Sequence, residues 1–435
     1  MVQPVDADEF EGLIQPLGPF EARPEIAVAV SGGRDSMALA FLCNRWVRAQ
    51  GGRAIFLTVD HGLRPEAADE CAFVQAWGRE NGVECHTLTW EGTKPASGVQ
   101  EAARRARYAL IEDWCRKNGI LHLFLAHHQD DQEETLLMRL SKGSEPSGLA
   151  AMAPVVEMRH LRLLRPLLGI SRERLEATVN QEGIGWVDDP SNADAKYART
   201  RVRVLKRELN GEGLGSHVLT EMAESFRVYR RQSDVFAAQF LGTQCSLHPA
   251  GFVRMSKAAL AQLDDEGAVL VLGRLVRTVG GLAYTPQRLK LAALKNKLIE
   301  EQTGAATLGN CRFTERDGTL FVFRETRNLP APLFLNPDEV LQYDYRFEVR
   351  APMVCRVGPL GVEGWREIKS RCPELLAETP PPIRGSLPAF WDGTGLLAVP
   401  PLRYWRDGMG KNLVKRFQMD FRPPHPLCGI GLRLT

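Results

Sequence analysis

The chain has 435 residues, 44% hydrophobic and 25% charged, with a formal net charge of +2. That length excludes a single small core and points to two or three domains, while the near-neutral balance excludes a globally basic surface, so a polyanionic partner must be met by local clusters. Nine cysteines without a CxxC pair exclude a zinc ribbon, a thioredoxin-like site and an iron–sulfur cradle, and scattered thiols fit a reducing cytoplasm.

The opening stretch "MVQPVDADEFEGLIQPL" is acidic and lacks a basic-then-apolar signal. No apolar run is long enough to cross a bilayer. The expectation is a cytoplasmic protein with no membrane partner.

From residue 26 to about 185, strand-like and helix-like pieces alternate. "EIAVAV", "RAIFLTV", "VECHTLTW" and "LHLFLA" read as buried strands; "MALAFLCNRWVRAQ", "EAADECAFVQAWGRENG", "QEAARRARYALIEDWCRKNG" and "DQEETLLMRL" read as helices between them. Two of those helices end in Asn-Gly, a good stop. The alternation predicts an α/β fold with a doubly wound parallel sheet, in which ligands bind beyond the carboxyl ends of the strands.

The first such end carries Ser31, Gly32, Gly33, Arg34, Asp35 and Ser36. Glycines let backbone N–H groups approach a phosphate, a helix N-terminus adds unpaired donors, and Asp35 could hold Mg2+, a hard cation preferring oxygen. The segment lacks the Gly-Lys-Ser/Thr ending of a Walker loop and is not GxGxxG. The alternative is a tight turn with Ser or Asp as a helix cap.

The second strand is followed by Asp60, His61, Gly62, Leu63 and Arg64, and the fourth by "AHHQDDQEETLLMRL". Asp131 and Glu134 share a helical face and could grip a cation, whereas Asp130 and Glu133 point differently and are expected to be solvated. Acidic helix-start chemistry and a metal site are the alternatives. Between these segments Arg104 and Arg107 share one helical face, which could equally be solvated surface.

Beyond Ser216 the pattern changes. Two long helix-like stretches precede "PQRLKLAALKNKLIEE"; "AATLGNCRFTERDGTLFVFRE" reads as two strands joined by an Asp-Gly turn, and "RNLPAPLFLNP" as a linker. The Pro-, Gly- and Trp-rich remainder suggests a small mixed or β-rich domain. The expected division is therefore 1–215, 216–328 as a helical and α+β middle domain, and 329–435.

"SGGRDS" resembles the pyrophosphate loop of the ATP-pyrophosphatase, or PP-loop, superfamily. With "DHGLR", "EAARRARY", "HHQDDQEETLLMRL", "KGSEPSGLAAM", "LLRPLL" and "WVDDPSNAD" in that order, the chain resembles the tRNA(Ile)-lysidine synthase family, closely over residues 25–210 and more weakly beyond. The resemblance implies a ligase. It would adenylate the C2 carbonyl of the wobble cytidine in a CAU-anticodon isoleucine tRNA with ATP, then let the side-chain amine of free lysine displace AMP. By resemblance ATP and Mg2+ are held by Ser31, Gly32, Gly33, Arg34, Asp35, Ser36 and His61. Asp35, Arg104, Asp131 and Glu134 act in catalysis, with Asp35 as metal ligand. Arg107, His127, Asp131, Glu134, Arg199, Arg201 and Arg203 meet the substrates.

Arg199 to Arg207 hold five cations, and "RHLRLLRPLL" adds more upstream, composition suited to RNA phosphates or to domain-tethering ion pairs. The middle and C-terminal domains are expected to embrace the tRNA. Asp60 and Thr200 depart from the family's usual residues and carry no assigned role. A homodimer fits the family, though no coiled-coil or apolar stripe speaks for one. The rivals are a tRNA 2-thiolation enzyme, against which the cysteine pattern argues, and an inactive tRNA-binding relative, against which the intact loop argues.

Overall fold

A computed structural model of the chain describes residues 2–63, 66–95, 97–158, 160–187, 198–300, 305–372 and 381–429, with side chains of 198–200 excepted. It divides into two compact units, one running to Arg231 and one beginning at Gln232.

The first unit is built on strands β1 (Glu25–Ala29), β2 (Arg53–Asp60), β3 (Glu84–Thr89), β4 (His122–Phe124), β5 (Val155–Glu157) and β6 (Arg162–Leu164). The order is β3-β2-β1-β4-β6-β5, parallel throughout except that β5 runs antiparallel to β6. Its helices are α1 (Ala7–Ile14), α2 (Arg34–Ala49), α3 (Glu66–Glu80), α4 (Val99–Asn118), α5 (Gln129–Ser141), α6 (Pro146–Leu149), α7 (Arg172–Gln181) and α8 (Ala198–Gly211), and α9 (Ser216–Gln244) spans the division. Alternation along β1 explains why both faces are covered. Ile26 and Val28 pack with Met37, Leu39 and Leu175 of α2 and α7, whereas Ala27 packs with Ile111 and Cys115 of α4. This is the doubly wound sheet expected from the alternating pattern. The Asn-Gly stops behave as read, Gly82 and Gly119 taking left-handed φ of 63° and 70° after α3 and α4.

Two strands escaped the sequence pattern. β5 and β6 have three residues each, too few for a period to register. Their presence changes the meaning of "RHLRLLRPLL". Arg162 is no RNA-facing cation: it is 5% exposed, donates to the Leu17 carbonyl at 2.9 Å and pairs with Glu157 at 3.2 Å.

Strand order reverses between β1 and β4, so their carboxyl ends open a crevice at the switch point. The turn at Ser31 and the helix start at His128 flank it.

In the second unit β7 (Cys245–His248), β8 (Phe252–Ser256), β9 (Ala306–Leu308), β10 (Cys311–Arg316) and β11 (Thr319–Arg324) form one antiparallel sheet. It packs on α11 (Asp265–Gly280) and α12 (Arg288–Glu300) through Leu272, Val276, Leu291, Phe313 and Val322. The β10–β11 turn is the expected Asp-Gly, with Asp317 and Gly318 at φ of 50° and 74°. The stretch read as a linker is partly a strand: β12 (Leu333–Leu335) pairs with β15 (Cys355–Pro359), because Leu335 alone turns inward between otherwise exposed neighbours. Two further sheets complete the unit. Phe252 and Phe323 share a cluster with Leu360, Trp365 and Ile368. Asp344, 5% exposed, binds Arg324 at 3.0 Å and Arg346 at 2.5 Å in the interior. All nine cysteines are free thiols. Among the described residues no helix is long and apolar enough to cross a membrane.

Candidate active site

The turn after β1 is shaped by its serines. The Ser36 hydroxyl donates to the Gly33 carbonyl at 2.7 Å and receives the Ser31 N–H at 3.2 Å. Gly32 has φ of 81° and its carbonyl accepts from Val187 N–H at 2.9 Å. Gly33 occupies the cap position of α2 with extended φ/ψ of −71° and 155°, and no side chain caps the helix. The alternative of a Ser or Asp cap therefore fails: the first-turn N–H groups of a 16-residue helix lack a side-chain acceptor. Arg34 pairs with Glu176 on α7 and keeps its Nε 3.7 Å from Asp35 Oδ1. Asp35 has one buried oxygen, Oδ1, without a hydrogen-bond partner.

Across the crevice, His128 begins α5 and is 7% exposed. Its ring lies 3.5 Å from carboxylate oxygens of Asp35, Asp130 and Asp131, and its backbone N–H donates to Asp131 Oδ2 at 3.1 Å. Burial alone would depress the imidazole, but these carboxylates win and push it up to about 10. It is an imidazolium at neutral pH. Despite the penalty of burial, Asp35 is held below its ordinary range by His128, Arg172 and Arg34, and Asp130 falls well below through His128 and Lys206.

Asp130 and Glu133 are not solvated as expected. Lys206 of α8 reaches both at 2.5 Å, and Glu133, 2% exposed, also accepts from Ser216 and Gln129. The physical reason is tertiary: α8 docks its basic face on the acidic face of α5. Asp131 and Glu134 differ. Asp131 lies 3.5 Å from the His128 ring and helps hold the Arg203 guanidinium charged. Glu134 pairs through Oε1 with Arg203 at 2.6 Å while its Oε2 is buried without a hydrogen bond. Arg201 is exposed on α8. The side chains of Arg199 and Thr200, and the segment 188–197, lie outside the described residues.

The remaining candidates gather at other strand exits. His61, after β2, accepts from Arg107 at 3.0 Å and lies 6.2 Å from the Trp90 ring. Burial, with Arg107 alongside, pushes it down to about 4. Arg104 lies over the Tyr108 ring and donates to its hydroxyl at 3.3 Å. His127, after β4, accepts at Nδ1 from Arg165 at 3.2 Å. Asp60 accepts from Gly62 N–H at 2.8 Å, closing its own turn.

Sequence reasoning missed His128, Lys206 and Arg165 as site residues. His128 and Arg165 lay inside quoted motifs and Lys206 inside the basic run from Arg199 to Arg207, but only docking of α8 and recognition of β6 give them a place. A groove of about 520 Å3 opens in the second unit beside Cys245, Arg254 and Asp317. None of the candidate residues lines it, so chemistry rather than volume locates the site. Among the described residues no three His, Cys, Asp or Glu side chains form a set able to hold a metal ion by themselves.

A family model described as a PP-loop domain matches residues 4–209. The chain is 36% identical over 392 residues to a tRNA(Ile)-lysidine synthase of Ruegeria pomeroyi, covering 88% of this chain and 90% of that one. It is 45% identical over 309 residues to one of Rhodopseudomonas palustris, covering 66% and 88%. It is 31% identical to one of Wolbachia pipientis, covering 87% and 89%. Among solved structures, the U34-tRNA thiolase NcsA of Methanococcus maripaludis aligns at 16% identity and TM-score 0.45, over 51% of this chain and 78% of that one.

Proposed function

The chain belongs to the tRNA(Ile)-lysidine synthase family, and from that premise we propose that its first unit joins free lysine to the wobble cytidine of a CAU-anticodon isoleucine tRNA in two ATP-driven steps. In the first, the cytidine C2 carbonyl oxygen attacks the α-phosphorus of ATP and pyrophosphate leaves. In the second, the lysine side-chain amine attacks C2 and AMP leaves, giving lysidine.

The observation that carries this reading is that an uncapped helix start and a pair of carboxylates lie across one switch point. The uncapped N-terminus of α2, with Gly32 and Gly33, suits the departing pyrophosphate. Asp131 and the unpartnered Oε2 of Glu134 suit an ammonium. Lysine's amine, with a pKa of about 10.4, is neutral in only about one molecule in a few thousand at pH 7. Asp131 would take the proton and aim the amine, while Glu134 holds the chain that carries it. His128, charged and buried, fixes Asp35 and Asp131 relative to each other.

Mg2+ fits Asp35: the buried Oδ1, without a hydrogen bond and 3.7 Å from Arg34 Nε, is a hard oxygen donor beside the phosphate turn, and Mg2+ commonly takes one or two carboxylates with substrate phosphates. Bound there, it would neutralise charge on the polyphosphate. Arg104 would steady the adenylate phosphate, and His61, Arg107, His127, Arg201 and Arg203 would line the path of the RNA and lysine. Segments 216–328 and 329–435 would hold the tRNA body, in a cytoplasmic enzyme that could work as a homodimer.

Purified protein, ATP, radiolabelled lysine and isoleucine tRNA transcripts test the proposal. Label is expected on the CAU transcript and not on one with another anticodon. Label on neither, with intact folded protein, overturns it.

A further inference from the structure

Three arginines at the carboxyl edge of the first sheet share one property: among the described residues none has a carboxylate partner. Arg104 and Arg107 lie on α4, and Arg165 directly follows β6. Arg107 donates to His61 Nε2 at 3.0 and 3.2 Å. Arg165, 8% exposed, donates to His127 Nδ1 at 3.2 Å and to the Ala153 carbonyl at 2.7 Å, and it bears on the Tyr108 hydroxyl that Arg104 also meets. Elsewhere in the same unit Arg34, Arg162, Arg174 and Arg203 each meet a glutamate, whereas Arg48 and Arg139 donate to backbone carbonyls.

The neutral partners satisfy hydrogen bonds but leave the charges standing. Donation from Arg165 into Nδ1 of His127 requires a lone pair there, which fixes that ring as a neutral Nε2–H donor. His61 likewise offers Nε2 as an acceptor. The nearby Asp60 spends an oxygen on Gly62 N–H. A buried guanidinium with an arginine neighbour and no counterion is strongly unfavourable unless an anion completes it, and a guanidinium fork matches two phosphate oxygens.

We propose that Arg104, Arg107 and Arg165 form a phosphate cradle, with Arg165 its fixed, buried member, that receives a phosphate of the nucleotide or of the RNA backbone. This deepens the lysine-ligase reading and rests on it for the two sources. It adds Arg165 as a binding residue.

The test uses the full chain and two separate titrations, ATP without RNA and the CAU transcript without ATP at several salt concentrations. Arg165→Gln is expected to weaken one arm at least tenfold, and Arg165→Lys to fall between, since an ammonium cannot fork. Arg105→Gln, at an exposed position of the same helix, should stay within about twofold of wild type. Loss in the ATP arm identifies a nucleotide phosphate. Loss in the RNA arm, with the log–log salt slope reduced by about one, identifies a backbone phosphate. Should Arg165→Gln fail to fold, the double variant Arg104→Gln/Arg107→Gln, altered only at exposed positions, carries the test. If folded Arg165→Lys and the double variant both match Arg105→Gln in both arms, the cradle is refuted. Wild-type protein that never transfers lysine, with variants that show these affinity losses, would instead sink the ligase reading and leave the cradle standing.

Discussion

Replacing Gly33 by Ala separates folding from phosphate binding. Gly33 has φ of −71° and ψ of 155°, which alanine adopts freely. A Cβ there would sit 3.6 Å from Ser31 Oγ and 3.9 Å from the Val187 carbonyl, ordinary van der Waals distances. Removing glycine's freedom from the unfolded chain stabilises by about 0.4–1 kcal/mol, and alanine's poorer capping costs roughly as much. Stability should therefore stay within about 1 kcal/mol of wild type. The methyl group, however, enters the space that lets a phosphate approach the loop N–H groups. Hydrogen bonds to charged groups are worth about 1.5–3 kcal/mol, so loss of one weakens ATP roughly 10- to 150-fold. Gly32→Ala provides the contrast: at φ of 81° the left-handed backbone alone costs about 1–2 kcal/mol of stability. Calorimetric ATP titration beside thermal melting reads both quantities. Folded Gly33→Ala that binds ATP within twofold of wild type would refute the assignment of this turn.

Asp131→Asn should cut lysine transfer at least 100-fold while pyrophosphate release on tRNA persists; equal loss of both would remove Asp131 from the lysine step. Glu133→Gln strips Lys206 of the buried one of its two carboxylate partners and should cost about 3 kcal/mol in urea denaturation, with the KM for lysine unchanged. Asp344→Asn leaves two buried guanidinium groups facing a neutral amide and should destabilise the second unit by about 3–5 kcal/mol; a smaller shift would mean the arginines find other acceptors. His61 titrates near 4 when folded against 6.5 unfolded, so as pH falls the unfolded chain takes the proton first. Its contribution is intact above pH 6.5, declines towards pH 4 and levels off below. Because the ring is only half-buried, about 1–2 kcal/mol is expected rather than the full shift, and His61→Gln should flatten that part of the stability–pH curve.

The sheet was legible because its central strands are buried on both faces and read as apolar runs between helix stops. The turn at Ser31 and the acids at Asp130 to Glu134 were legible because polar residues there follow strands whose carboxyl ends must face a ligand crevice. Which acids Lys206 takes was not legible. Asp130 and Glu133 carry the same spacing as Asp131 and Glu134, and local helical geometry treats the pairs alike. The distinction comes from Lys206, more than 70 residues downstream of Glu133, and no pattern within α5 encodes it.

Arg162 and Arg165 make the same point from a strand. In sequence they are two arginines in one basic stretch, and composition assigns both to RNA. In an extended chain, residues three apart face opposite sides of the sheet. Arg162 shares a side with Leu164, which packs against the cluster containing Leu17, and it binds the carbonyls that follow α1. Arg165 shares a side with Leu163, which packs against the cluster containing Tyr108 and Ile111, and it meets His127 and Tyr108 there. One arginine is thus a staple and the other a candidate phosphate ligand, and the difference rests on the period of a three-residue strand. Inserting one residue between Leu163 and Leu164 would put both arginines on the same side, which is why the chemistry of this stretch depends on strand register and not on its count of cations.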